Sequence, residues 1–175
     1  MLFTVALCFA VTFGTQNGHD RIVTGQFAKV GGELNEVATK IGGIKQRDLK
    51  TTADYIQAYS EIEQLQPDFE SKVQKYRDVF QEARLMDESR GPINIQRFYK
   101  SHTPDFWKND SDMLEVVYQV CELTKQETIA VKNMAALPEQ DQVGYWQNNF
   151  RPFIGQEDAL REKILALQTK TQPKK

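Results

Sequence analysis

Four aromatic side chains are the residues of this sequence best suited to binding another molecule. Phe98, Tyr99, Phe106 and Trp107 lie in a segment without helical periodicity and alternate with Arg97, Lys100 and Lys108. Aromatic rings with basic neighbours are enriched at protein–protein interfaces, so this segment is a candidate binding loop. The alternative, which the pattern slightly favours, is that the rings fold back as a lid over the domain. Single-stranded nucleic acid would use the same residue types, but a net charge of −2 argues against it.

Patterns for catalysis and metal binding are weak. His102 and Asp105 could act as a base and the carboxylate that orients it, but no serine or cysteine nucleophile accompanies them in a motif. Neither histidine of the chain stands at metal-ligand spacing from cysteines or carboxylates, and no glycine-rich phosphate loop is present. We therefore expect a protein that is not an enzyme and needs no metal or cofactor.

Asn109 begins the tripeptide Asn-Asp-Ser, which is an acceptor sequence for N-linked glycosylation. A glycan would be added there if the protein entered a eukaryotic secretory pathway. Three-residue patterns of this kind also arise often by chance, and in a bacterium this one would have no such role.

An uncharged apolar run occupies residues 2–13. Its length of about 12 residues suits the apolar core of a signal peptide and is too short for a membrane-spanning helix, which needs about 20. Small and polar residues follow at 14–18, although the usual basic residue before the run is missing. The sequence predicts a signal peptide over residues 1–18, no stable transmembrane anchor, and a secreted or periplasmic protein. The alternative is a buried strand or helix.

The two cysteines predict no disulfide framework. Cys8 lies in the run that cleavage would remove, and Cys121 stands alone among apolar residues. We interpret Cys121 as a small core residue rather than a reactive thiol.

The strongest pattern in the chain is a heptad one. Between Val23 and Met86, positions separated alternately by four and three residues are apolar at 16 of 19 sites. A random distribution would give about 8. This spacing predicts a long amphipathic, coiled-coil-like segment whose apolar face, here called the seam, packs either within the chain or against a second chain.

Glycines decide whether residues 21–88 form one helix or two. The pairs at 31–32 and 42–43 each weaken a helix by about 1 kcal/mol per glycine, or allow another helix to approach closely. The seam also turns polar at Asp48 and Thr51. We expect a break between Gly42 and Thr52, which makes residues 19–90 a helical hairpin. Pro67 predicts a kink or a new helix start.

The C-terminal half predicts three shorter helices after a loop. Residues 91–111 carry two prolines and form that loop. Helices follow at 112–136, where Asp112 and Glu115 resemble a capping box, at 138–150 and at 155–169, with a break at Arg151-Pro152 and a frayed basic tail at 171–175. The expected fold is all-α, a single helical bundle over residues 19–170.

Two functions fit this architecture. The first is an exported, non-enzymatic module that binds another protein, or itself, through the seam or the aromatic loop. The second is a secreted or periplasmic carrier that holds a fatty acid or another apolar ligand in the bundle, with the loop as a lid. Catalysis by His102 and Asp105 is the third choice.

Overall fold

The computed structural model describes residues 18–89 and 104–171. Every regular element in these ranges is a helix: α1 (Gly18–Lys45), α2 (Thr52–Ser89), α3 (Pro104–Ala135), α4 (Glu139–Tyr145), a π-helical turn (Trp146–Phe150) and α5 (Arg151–Thr171). α1 packs against α2, α2 against α3, and α3 against α5. The predicted all-α bundle is confirmed. The predicted signal peptide, apart from Gly18, and the basic tail, apart from Thr171, lie outside the described residues.

α1 and α2 form the predicted hairpin, with the break at residues 46–51. A capping box starts α2, because Thr51 Oγ1 accepts the Asp54 N–H at 3.2 Å and Asp54 Oδ2 accepts the Thr51 N–H at 2.8 Å. Arg47 donates two hydrogen bonds of 2.7 Å to Glu61, which hold the connection against α2. The two helices are therefore separate elements joined by a short, hydrogen-bonded turn.

The central part of the seam, whose side chains the structure describes, is buried within the chain. Leu34, Val37, Ile41, Ile62 and Phe69 are each at most 1% exposed, and full burial of such a side chain contributes about 1.5–3 kcal/mol. These seam residues therefore pack within the chain and not against a second chain.

Pro67 and the glycine pairs interrupt the helices less than expected. Pro67 lies on the exposed side of α2, which continues through it, so a new helix start at this residue is wrong. α1 likewise continues through both glycine pairs to Lys45. A Cβ atom added at Gly32 or Gly43 would meet no atom within 4 Å, so close approach of a second helix does not explain these two glycines.

α3 begins earlier than predicted. Its first residue is Pro104 rather than Asp112, so residues 104–111 are helical and not part of a loop. Proline is favourable in the first turn of a helix, where its missing N–H has no intrahelical partner to lose. Asp112 and Glu115 consequently lie inside the helix rather than at its cap. With 32 residues, α3 is longer than the 28-residue α1, so only α4 and α5 are shorter C-terminal helices.

The predicted break at Arg151-Pro152 is also wrong. In a regular α-helix the Pro152 ring would clash with the carbonyl group of Asn148. The residues Trp146–Phe150 instead form the π-helical turn, in which the hydrogen bonds shift by one residue, and α5 follows at Arg151 without a gap. Phe150, the last residue of this turn, is 3% exposed and joins the main core.

Cys121 lies in the same core at 4% exposure, which confirms the prediction of a small core residue. Burial raises the pKa of its thiol to about 12, so the thiol is protonated at neutral pH. Within the described ranges, no helix is both long enough and apolar enough to cross a membrane.

Candidate binding groove

The aromatic segment that the sequence singles out is only partly described. Phe98, Tyr99 and His102 lie outside the described residues. Phe106, Trp107 and Asn109 have their backbones in the first turns of α3, and their side chains lie outside the description. The prediction of a binding loop is therefore wrong in its backbone conformation at these three residues, and Asp105 also lies in α3. Their binding and glycosylation roles stay predictions.

A groove lies between α1, α3 and α5, and is here called the α1–α5 groove. Its walls come from the C-terminal turn of α1, the middle of α3 and the first half of α5: Gly42, Lys45, Gln46, Val120, Leu123, Thr124, Glu157, Asp158, Leu160, Arg161 and Ile164. Its volume is about 130 Å³. Apolar side chains form one part of the wall and charged groups the other, so the groove is amphipathic.

A buried charged cluster adjoins the groove and contributes Lys45, Thr124 and Glu157 to its lining. Lys45 Nζ donates hydrogen bonds to Glu127 Oε2, to Glu157 Oε1 at 2.6 Å and to Thr124 Oγ1 at 3.3 Å. Tyr59 Oη also donates to Glu127 Oε2, at 3.2 Å. α1 contributes Lys45, α2 Tyr59, α3 Glu127 and α5 Glu157, so the four long helices meet in this one cluster.

The cluster is largely removed from water. The side chains of Lys45 and Glu127 are 9% and 1% exposed, whereas that of Glu157 is 34% exposed and reaches the mouth of the groove. Burial raises the pKa of Glu127 to about 7, even though the Lys45 ammonium lowers it, and the nearby Glu157 carboxylate raises it further. Glu127 therefore changes its charge near neutral pH.

Tyr59 is held in place by aromatic contacts. Its ring packs edge-on against Phe150 with a centroid separation of 5.3 Å. The Tyr55 ring also packs against Phe150 and against Trp146, with ring-centroid separations of 5.3 Å and 5.6 Å. Burial raises the pKa of the Tyr59 hydroxyl, so this hydroxyl stays a hydrogen-bond donor to Glu127. Phe150 belongs to the main core, and Trp146 packs against it.

One exposed stripe of α5 continues the groove onto the surface. Ile154, Asp158, Arg161 and Leu165 follow each other at spacings of four, three and four residues and therefore share a helix face. Asp158 and Arg161 line the groove. Ile154 and Leu165 are 41% and 49% exposed. The stripe therefore places two exposed apolar side chains beside the residues that line the groove.

Sequence reasoning missed this site, although one signal for it was present. Glu127 lies on a helix face that is otherwise apolar apart from one threonine. The face comprises Val120, Thr124, Glu127, Val131 and Met134. A carboxylate at such a position is buried by its neighbours and needs a cationic partner. That partner, Lys45, lies 82 residues away, and the sequence spacing gives no means to identify it.

Comparisons of the chain with protein families, characterised proteins and solved structures give no match. Among the described residues, no group of three or more His, Cys, Asp or Glu side chains is placed to hold a metal ion.

Proposed function

We propose that this protein is an exported, non-enzymatic helical module that binds another protein through the α1–α5 groove. Export is supported by the apolar run at residues 2–13. Because the described central part of the seam is buried within the chain, the proposed binding surface moves from the seam to the groove and the adjacent stripe of α5.

The size of the groove carries the proposal. A volume of about 130 Å³ is close to the roughly 150 Å³ that holds a benzene ring in an engineered cavity, whereas sites for drug-sized ligands span about 300–1,000 Å³. One apolar side chain of a partner fits this space and could act as an anchor of the kind that dominates interface energetics. A whole fatty acid is too large for it.

The shape and charge of the surface specify the partner as an amphipathic helix with a basic residue beside its apolar anchor. Val120, Leu123 and Leu160 offer the anchor an apolar wall. The groove lining carries two carboxylates, Glu157 and Asp158, and two cations, Lys45 and Arg161. Behind Lys45, the buried Glu127 adds a third carboxylate when it is ionised, above about pH 7. The site then has a negative balance, which favours a basic partner residue.

The test begins with peptides that are selected from a random display library on the purified protein. We expect selected sequences to place apolar residues at helical spacing next to a lysine or arginine. Leu165→Glu should then weaken binding of these peptides by at least tenfold, because it puts a charge into the apolar part of the stripe.

Ile129→Glu is the matched control, because Ile129 is 52% exposed on α3 and does not line the groove. It should leave peptide affinity unchanged. Equal losses in both variants, or selected peptides without an apolar–basic pattern, would contradict the proposed site.

Two measurements cover the other functions. Native mass spectrometry after incubation with palmitate would show a stable one-to-one complex if the protein were a lipid carrier. Light scattering would show a dimer if a second copy occupied the groove. Either result, with no peptide selected, would replace the present proposal.

A further inference from the structure

The buried cluster contributes Lys45 and Glu157 to the lining of the groove and links its sides through Lys45. Lys45 belongs to the last turn of α1, and its ammonium group bonds to α3 through Glu127 and to α5 through Glu157. Any change in the charge of Glu127 therefore acts on the α1 side of the groove.

We propose that the charge of Glu127 controls how tightly the last turn of α1 closes the groove, so that the groove is closed in mild acid and loosens above neutral pH. This inference rests on the proposed function only in taking the groove as the binding site.

The direction of the effect follows from proton linkage. In the closed form burial raises the pKa of Glu127 to about 7, from an ordinary value of 4.5. When the last turn of α1 moves away, the carboxylate loses the Lys45 ammonium, which lowers its pKa, but it also gains water. Burial is the larger of these two effects, so its relief returns the pKa toward the ordinary value. Protons therefore bind more tightly to the closed form, and a rise in pH through this interval favours opening.

The groups that face Glu127 act in both directions: the Lys45 ammonium and the Tyr59 hydroxyl lower its pKa, whereas the Glu157 carboxylate raises it. Lys45 of α1 is shared with the Glu157 carboxylate of α5, so one ammonium group serves two carboxylates when Glu127 is ionised. Tyr59 of α2 stays protonated and donates its hydrogen bond in either state. Ionisation thus leaves an excess negative charge in a site that is almost closed to water, and hydration relieves it.

The last turn of α1 is also a weak part of the helix. Gly42 and Gly43 directly precede Ile44 and Lys45, and each glycine lowers helix stability by about 1 kcal/mol relative to alanine. Gly43 and Gln46 are already exposed. Local opening of this turn therefore costs less than unfolding of the bundle.

Amide hydrogen exchange of the protein alone tests the inference without any ligand. After correction for the intrinsic pH dependence of exchange, protection of the Lys45 and Gln46 amides should fall about tenfold between pH 6 and pH 8. This fall follows from pKa values of about 7 and 4.5 in the closed and open forms. Amides that exchange only through global unfolding, such as that of Ile62, should change by the same factor, because unfolding also exposes Glu127. Local opening is distinguished by protection of the Lys45 and Gln46 amides that is lower than that of Ile62 at every pH. Amides that exchange by local opening far from Glu127, such as that of Lys75 in α2, should not show the tenfold change.

Glu127→Gln should remove this pH dependence, because glutamine does not ionise. Glu63→Gln is the matched control, since it removes only an exposed ion pair with Lys132 at 2.7 Å, and it should keep the tenfold change. Protection that does not depend on pH in the unmodified protein, or a dependence that persists in Glu127→Gln, would overturn the inference. If Glu127→Gln does not fold, titration of the Glu127 carboxyl carbon by NMR decides, with a midpoint near 5 as the contrary result.

The outcome is independent of the peptide experiment. Failure of the exchange test leaves groove binding intact, and failure to select peptides leaves the pH-dependent opening intact.

Discussion

Replacing Glu127 by glutamine should make the protein more stable at pH 8 and leave its stability almost unchanged at pH 5. The side chain is 1% exposed, and its pKa is raised from 4.5 to about 7. A carboxyl group whose pKa is raised on folding binds protons more tightly in the folded state. The folded state therefore loses stability as the pH rises from about 4.5 to about 7, and this loss is complete above pH 7.

The size of this loss follows from the same two pKa values. A difference of about 2.5 pKa units corresponds to roughly 3 kcal/mol. Glutamine has the shape of the protonated acid and does not ionise. The free energy of unfolding of Glu127→Gln should therefore exceed that of the unmodified protein by roughly 3 kcal/mol at pH 8. Partly exposed carboxyl groups such as Glu33 and Glu61 have lowered pKa values because each accepts a hydrogen bond from a cationic side chain. They stabilise the folded state when ionised, and this stabilisation is lost only at more acidic pH than the change at Glu127.

Urea unfolding followed by circular dichroism at pH 5, 6, 7 and 8 measures the effect. Lys45→Met provides the contrast, because it leaves Glu127 buried without its cation and should cost about 3 kcal/mol or more at pH 8. Its cost should be smaller at pH 5, where Glu127 is already protonated. Parallel stability curves for the unmodified protein and Glu127→Gln across these pH values would refute the reasoning, as would a Glu127→Gln variant that is less stable at pH 8.

Three further changes test other parts of the fold. Gly32→Ala should raise the free energy of unfolding by about 1 kcal/mol in urea titrations, because a Cβ at this helical position meets no atom within 4 Å; an unchanged or lower value would contradict this. Thr51→Ala should lower it by about 1 kcal/mol through loss of the capping box, while Thr51→Ser should not; equal effects of the two would exclude the cap. Lys45→Met combined with Glu127→Met should keep or raise stability at pH 8 but give more than one set of methyl NMR signals; a single set would show that the charges do not select the packing.

The periodic part of the fold could be predicted from the sequence. Seam residues such as Leu34 and Ile62 are buried because the heptad spacing places them on one helix face, whatever that face packs against. The break before Thr52 was also predictable, since polar seam residues coincide with it. These properties depend on residues that are close together in the sequence, so the spacing of residue types is enough to predict them.

The misplaced boundaries have a common physical cause. Both errors occur at a proline. The predicted loop includes Pro104, at which α3 begins, and the predicted break lies at Arg151-Pro152, where the chain stays helical. Proline is compatible with a first turn, and a π-helical turn in front of it removes the clash with the preceding carbonyl group. The backbone before each proline decides the outcome, and the residue type alone does not.

The charged cluster could not be predicted for a different reason: it depends on how the helices are aligned along their axes. A heptad seam can slide by seven residues, which is about 10 Å of helix, and still bring apolar faces together. Such a shift of α1 would separate Lys45 from Glu127 and leave a carboxylate that is 1% exposed without its cation. An unpaired buried charge costs several kcal/mol, so the alternative alignments are less stable even though the pair itself contributes little. The same two residues that make the folded state sensitive to pH therefore also fix the alignment of the helices that line the groove.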